Sequence, residues 1–150
     1  MAEPHLAPGY STLATRFAKE IKGEVCFDPF TRGLYSTDAS HYQIEPLGVV
    51  FPRSVSDVEA VIGIARGEGV PILPRGGGTS QCGQTIGRAV ILDTSRHLTG
   101  IGEPDRNGHV EVEPGVVLDN LNARLGRSGS WFPVDPSTSC LLYTSDAADE

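Results

Sequence analysis

Apolar residues recur every four positions at Leu13, Phe17 and Ile21 within the polar stretch Tyr10–Lys22. That spacing predicts an amphipathic helix, with Gly23 placed to end it. Glu24–Glu45 has no sustained period and contains Pro29 and Gly33, so it is read as irregular. His41 in this stretch is read as a surface or capping residue. Gly48-Val49-Val50-Phe51, closed by Pro52, predicts a short buried strand. Ser54 and Ser56 are candidate caps for the helix that follows, and Ser56 with Glu59 fits a capping box. Val58, Val61, Ile62 and Ala65 then mark a helical face, and Gly67 and Gly69 stop it. Val70–Leu73 predicts the next strand, completing a strand–helix–strand unit with parallel pairing. Further strands are predicted at Ala89–Asp93 and His109–Glu113, with a turn at Asn107-Gly108 before the second. Leu118, Leu121 and Leu125 predict a last helix ending near Gly126 or Gly129, after which Trp131-Phe132-Pro133 returns toward the core.

The chemistry lies where the periodicity stops. Directly after Val70–Leu73 the chain runs Pro74-Arg75-Gly76-Gly77-Gly78-Thr79-Ser80-Gln81-Cys82-Gly83-Gln84. Gly76, Gly77 and Gly78 lack a Cβ, so the backbone is free to turn at positive φ and to approach a ligand closely. Successive peptide N–H groups in such a turn form a concave nest for an anion. Arg75 adds positive charge, and Thr79 and Ser80 add hydroxyl donors. A diphosphate is the simplest ligand that uses all of these. The loop leaves the carboxyl end of a strand, where ligands bind in open α/β sheets. A P-loop is excluded because Gln84, not Lys, follows Gly83. A Rossmann fingerprint is excluded because Thr79–Arg88 has no helical period. A plain α/β domain with a glycine-rich turn, and a non-enzymatic nucleotide- or anion-binding α/β module, remain open on these residues alone.

Composition narrows the classes. The 150 residues are 39% hydrophobic and 21% charged, which suits one globular domain. The formal net charge of −7 argues against nucleic acid as a partner, since phosphate backbones are bound by Lys and Arg. No apolar run approaches the roughly 20 residues of a membrane span. Met1–His5 has no basic region leading into an apolar core, so no secretory signal is expected. Cys26, Cys82 and Cys140 show no CxxC or metal-ligand spacing. Free thiols and a reducing, cytoplasmic compartment are therefore expected, with no metal site.

Residues 140–150, Cys-Leu-Leu-Tyr-Thr-Ser-Asp-Ala-Ala-Asp-Glu, match one reading frame of a transposase-type library adapter. They are read as a non-native tail on a chain cut from a longer protein. Without Asp146, Asp149 and Glu150 the net charge falls from −7 to −4.

Four segments in order and spacing resemble the FAD-linked oxidase family, also called the vanillyl-alcohol oxidase or PCMH-type family. They are Gly48–Arg53 with its helix; Pro74–Ser80 with Gly83-Gln84; Val112–Val116 with Leu121-Asn122; and Pro133–Ser139. The resemblance runs from about Ser36 to Ser139. It implies an α+β fold with a small parallel-sheet α/β subdomain followed by the start of a second. It divides the chain into a lead-in helix region (1–35), a truncated FAD-binding domain (36–139) and the tail (140–150).

The family's glycine loop binds the FAD diphosphate through backbone amides, which falls here on Arg75, Gly76, Gly77, Gly78, Thr79 and Ser80, with Gln84 nearby. Its Pro-Gly segment near the cofactor falls on Pro114, Gly115 and Val116. A second flavin-contacting stretch begins at Asp135, Pro136, Ser137 and Thr138. The glycine- and asparagine-rich continuation of the family is absent. Some members attach FAD through a His in the glycine loop. Thr79 stands at that position here, and Cys82 nearby has no activating partner, so FAD is expected to be non-covalent. Gly77→Val is expected to abolish binding.

The Arg-Gly-Gly-Gly-Thr-Ser version, with Tyr35-Ser36-Thr37-Asp38 upstream, is most similar to the D-lactate, glycolate and D-2-hydroxyglutarate dehydrogenase branch. That branch implies a small 2-hydroxy acid substrate and an electron acceptor other than NAD. It also places any iron–sulfur cluster in a C-terminal part beyond this chain. Substrate contacts would lie there too, so no catalytic residue is assigned and the segment alone is expected to be inactive.

Overall fold

The structure, a computed structural model, describes residues 10–134, 136 and 138. Helix α1 (Tyr10–Glu20) is followed by strand β1 (Glu24–Cys26) and helix α2 (Pro29–Leu34). Strand β2 (Gly48–Phe51), helix α3 (Val55–Glu68), strands β3 (Ile72–Arg75) and β4 (Val90–Asp93), and helix α4 (Leu118–Leu125) complete the order. A 3-10 turn, Gly126–Ser128, closes α4.

The four strands form one sheet in the order β1-β2-β4-β3. β2 and β3 both run parallel to β4, while β1 pairs antiparallel with β2. The sheet is thus mixed, and β2 and β3 do not pair directly because β4 lies between them. β2 and β4 are buried at every position, as central parallel strands must be. Their residues alternate between two cores. Val50, Val90 and Leu92 pack against Leu13, Phe17 and Ile21 of the α1 region and Val61, Ile64 and Ala65 of α3. Val49, Phe51 and Ile91 face the other way, with Tyr35 and Leu73 against them. Full burial of a side chain such as Phe17 or Val61 is worth about 1.5–3 kcal/mol. These contacts therefore fix both helices on one face of the sheet. α1 and β1 share this sheet and core with the elements after residue 36.

Several elements differ from the sequence expectation. Glu24–Glu45 is not irregular throughout: it holds β1 and α2. α2 is capped by the Asp28 side chain, which accepts from the Thr31 N–H at 2.9 Å, with Pro29 at its first turn. The cap of α3 is Ser54, not Ser56: its hydroxyl accepts from the Asp57 N–H at 3.2 Å. Gly67 lies inside α3, and Gly69 ends it in the left-handed conformation at φ +66°. β3 begins two residues later than predicted, at Ile72. His109–Glu113 forms no regular strand; it lies against residues 100–105 through the isolated antiparallel bridge of Ile101 with Val112 and backbone hydrogen bonds such as Gly102 N–H to the Glu111 carbonyl at 2.8 Å. Trp131 points to solvent, and only Phe132 of that segment packs inward. It joins a second, smaller core of Val116, Leu118, Leu121 and Leu125 with Ile101, Val110 and Val112.

Candidate functional site

β3 delivers the glycine loop to the carboxyl edge of the sheet. Its last residue, Arg75, is in register with Asp93 at the end of β4. Of the three consecutive glycines only Gly78 adopts the left-handed region, at φ +69°, and Gly83 does so at φ +77°. The Gly78 carbonyl accepts from the Ala39 N–H at 3.2 Å, pinning the loop to the segment after α2. The peptide N–H groups of Gly76, Gly77, Gly78, Thr79 and Ser80 donate to no acceptor among the described residues. Among the described residues these five consecutive backbone donors meet no acceptor, and a row of such donors is able to take water or an anion.

Beyond Ser80 the loop closes on itself. The Ser80 hydroxyl accepts from the N–H groups of Cys82 and Gln84, each at 3.2 Å, and is hydrogen-bonded to the Gln84 side chain. Thr85 is buried, and its hydroxyl donates to Asp38 at 3.0 Å. Burial disfavours the charge on Asp38, but hydrogen bonds from Ser40 and Thr85 outweigh it and hold its carboxyl below the usual carboxylate range. Tyr42 lies against Gly83: a Cβ there would stand 2.8 Å from its ring.

Arg75 is half-buried and turns back under the loop. Its guanidinium lies over the Tyr35 ring at 4.9 Å and is within 3.5 Å of the Tyr35 and Thr85 carbonyl oxygens. On its other side is Gly78, where a Cβ would be 2.5 Å from the guanidinium.

The Pro-Gly segment reaches the same edge of the sheet through Thr94. The Thr94 N–H donates to the Arg75 carbonyl at 3.1 Å, and its own carbonyl backs onto Gly115. The Gly115 N–H donates to the Leu98 carbonyl at 2.7 Å. Pro114 is exposed, while the Val116 side chain belongs to the second core. Of the last predicted stretch, Pro136 and Thr138 are half-buried, and Asp135 and Ser137 lie outside the described residues, as does the tail.

Three supporting groups have no role in the sequence reading: Asp38 and Asn122 stand only within segments that carry the resemblance, and Asp93 in none. Buried Asp93 accepts from the Tyr35 hydroxyl at 2.6 Å and from the Ser95 N–H and hydroxyl at 2.8 and 2.6 Å. Asp38 holds the far side of the loop. The Asn122 side chain accepts from the Phe132 N–H at 2.7 Å, directing the chain toward residues 133–138. The only available signal was a polar residue ending an apolar strand, as Asp93 does after Val90-Ile91-Leu92. Among the described residues no group of three or more His, Cys, Asp or Glu side chains is placed to hold a metal.

A family model described as an FAD binding domain matches residues 46–142. D-2-hydroxyglutarate dehydrogenase of Escherichia coli (strain K12) is 39% identical over 142 residues, covering 89% of this chain and 14% of that protein. Glycolate oxidase subunit GlcD of Bacillus subtilis (strain 168) is 34% identical, covering 79% of this chain and 26% of that protein. In fold, the chain is similar to 4-ethylphenol oxidase from Gulosibacter chungangensis, with a TM-score of 0.68, 22% identity, and coverage of 87% of this chain and 27% of that one. It is also similar to an alkyldihydroxyacetonephosphate synthase, with a TM-score of 0.69, 20% identity, and coverage of 91% and 28%. The chain therefore spans about a quarter or less of the length of the sequence relatives named here.

The loop suits the group this family binds. A run of N–H groups with no acceptor among the described residues, beside a left-handed glycine at the end of a parallel strand, suits a diphosphate.

Proposed function

The chain belongs to the FAD-binding domain family whose model matches residues 46–142, and from that membership we propose that it is the flavin-binding portion of a D-2-hydroxy acid dehydrogenase. The observation that carries the reading is the run of five N–H groups from Gly76 to Ser80 that meet no acceptor among the described residues. These donors hold the FAD diphosphate, with the side chains of Thr79, Ser80 and Gln84 at the rim and Arg75 at the base. Pro114, Gly115 and Val116 bring a second backbone segment to the same sheet edge, and Asp135, Pro136, Ser137 and Thr138 extend it. FAD, when bound, supplies the two-electron acceptor chemistry. The residues of this chain bind and orient it.

The substrate class rests on relatives named D-2-hydroxyglutarate dehydrogenase and glycolate oxidase subunit. A small D-2-hydroxy acid is the donor, and the electrons leave to a carrier other than NAD. Substrate-contacting residues lie in the part of the parent protein that this chain does not span, and so does any iron–sulfur cluster. The acidic balance of −7 disfavours a nucleic-acid partner. No helix among the described residues is long and apolar enough to cross a membrane. The free thiols of Cys26 and Cys82 support a cytoplasmic setting.

The test is FAD titration of the chain, read by flavin fluorescence, with pyrophosphate as competitor. Saturable binding of one FAD per chain, displaced by pyrophosphate, is expected. Undiminished binding when Gly76–Ser80 is replaced by a loop of alanines would remove the site. In a full-length parent, a D-2-hydroxy acid should reduce an artificial dye and should fail to reduce NAD.

A further inference from the structure

Arg75 is the one cation in the glycine loop, and its position in sequence suggests a direct phosphate contact. Its geometry is different. The guanidinium is layered between the Tyr35 ring, 4.9 Å from its centroid, and Gly78, where even a Cβ would come within 2.5–2.9 Å of three guanidinium atoms. Its donors face the Tyr35 and Thr85 carbonyl oxygens at 3.4–3.5 Å. Tyr35 is itself fixed, edge-on to Phe51 at 5.8 Å and through its hydroxyl to buried Asp93. Gly78 is fixed from above by the Ala39 N–H. A planar cation thus fills the space between the Tyr35 ring and the left-handed turn at Gly78.

We infer that Arg75 is a positioning residue: it shapes the loop from beneath and governs FAD affinity through the backbone donors of Gly76–Ser80, without touching the diphosphate. This rests on the reading of that loop as the FAD diphosphate site. Planarity is the property used. A guanidinium stacks flat on an aromatic ring and on a Cα, whereas an ammonium is a compact, strongly hydrated point charge.

The test uses three variants of the chain, Arg75→Lys, Arg75→Gln and Tyr35→Leu, with two readouts. The first is the FAD dissociation constant at low and high salt. Arg75→Lys and Arg75→Gln should each weaken FAD by about tenfold or more, to a similar extent. Tyr35→Leu should weaken it comparably, and Arg75→Lys combined with Tyr35→Leu should be no worse than either alone. The second readout is the amide NMR shifts of Gly76–Ser80 in ligand-free protein, which should move in all three variants while the shifts of α1 and α3, on the opposite face of the sheet, stay in place. If Arg75→Lys keeps wild-type affinity and its salt dependence, a point charge suffices and the inference is overturned. It is equally overturned if the ligand-free loop shifts do not move. If wild-type protein binds no FAD, the diphosphate reading fails, while the ligand-free shifts still decide whether Arg75 shapes the loop.

Discussion

Gly115 lies directly against the carbonyl of Thr94: a Cβ on Gly115 would stand 2.2 Å from that oxygen and 2.6 Å from the carbonyl of Leu98. Both obstacles are backbone, so neither yields by a rotamer change. Gly115→Ala should therefore displace the Pro-Gly segment from the loop after β4 and destabilise the fold by about 1–3 kcal/mol, in the range of overpacked sites. A lowered urea midpoint with an unchanged slope is the expected result. An unchanged midpoint would mean that the two segments are not in this contact.

That contact also shows what kind of information a sequence carries. Pro114-Gly115 was legible as a break and, by resemblance, as a flavin-side segment; that its glycine answers to a carbonyl twenty-one residues earlier was not. The four-residue spacing of Leu13, Phe17 and Ile21 gave α1 because one face meets one core. β1 and α2 were missed because three and six residues are too short to display a period. Ser54 and Ser56 were both legible as caps of α3 because they offer the same hydroxyl, so the sequence left the choice open. Ser54 takes the role: it stands just before the first helical residue, in extended backbone, and its hydroxyl accepts from the Asp57 N–H. The glycine loop was legible as a turn at the end of a strand, because three glycines interrupt an apolar run. The layering of Arg75 between Tyr35 and Gly78 was not, since Tyr35 lies 40 residues away.

Tyr35→Phe removes the donor to buried Asp93 and leaves one carboxylate oxygen without its partner. A loss of about 1–3 kcal/mol is expected, read by urea unfolding. In wild-type protein, burial first and the Asp93 hydrogen bond second push the Tyr35 hydroxyl well above the ordinary tyrosine value. Because the folded-state value is raised, this contribution is intact below about pH 10 and is lost as pH rises beyond it. An alkaline absorbance titration comparing wild type with Tyr35→Phe should therefore show Tyr35 unionised well above pH 10 until the chain unfolds. Ionisation of Tyr35 together with the other tyrosines would contradict the contact.

Asp57 works in the opposite direction. Burial disfavours its charge, but the N–H groups of Lys22, Arg53 and Gly23 outweigh that and lower its ionisation below the usual carboxylate range. A lowered folded-state value gives stability that is present above the unfolded value, near pH 4, and is lost as pH falls further. Asp57→Asn should cost about 1–3 kcal/mol at neutral pH and make the acid limb of the stability profile shallower. A variant with the same acid slope as wild type would show that Asp57 does not carry it.

Asn122→Ala should release the Phe132 N–H and loosen the chain leading to residues 133–138. Loss of this hydrogen bond is worth about 1 kcal/mol, and hydrogen exchange at Phe132 should rise more than at Leu121 within α4. Uniform acceleration across α4 would instead indicate that the helix itself depends on Asn122.

Thr79 decides how the flavin is held. A covalent bond from the loop needs a nucleophile made reactive by a neighbouring base. The Thr79 hydroxyl is hydrogen-bonded to no His, Asp, Glu or Lys among the described residues. Cys82, two residues beyond Ser80, is exposed; its own N–H is engaged with the Ser80 hydroxyl, and no hydrogen bond joins its thiol to a side-chain base among the described residues. Bound FAD should therefore be held without a covalent bond, and acid precipitation should release all of it to the supernatant. Yellow colour retained in a washed pellet would require a covalent link. Peptide mapping of that pellet would then show whether Thr79 or Cys82 had made it.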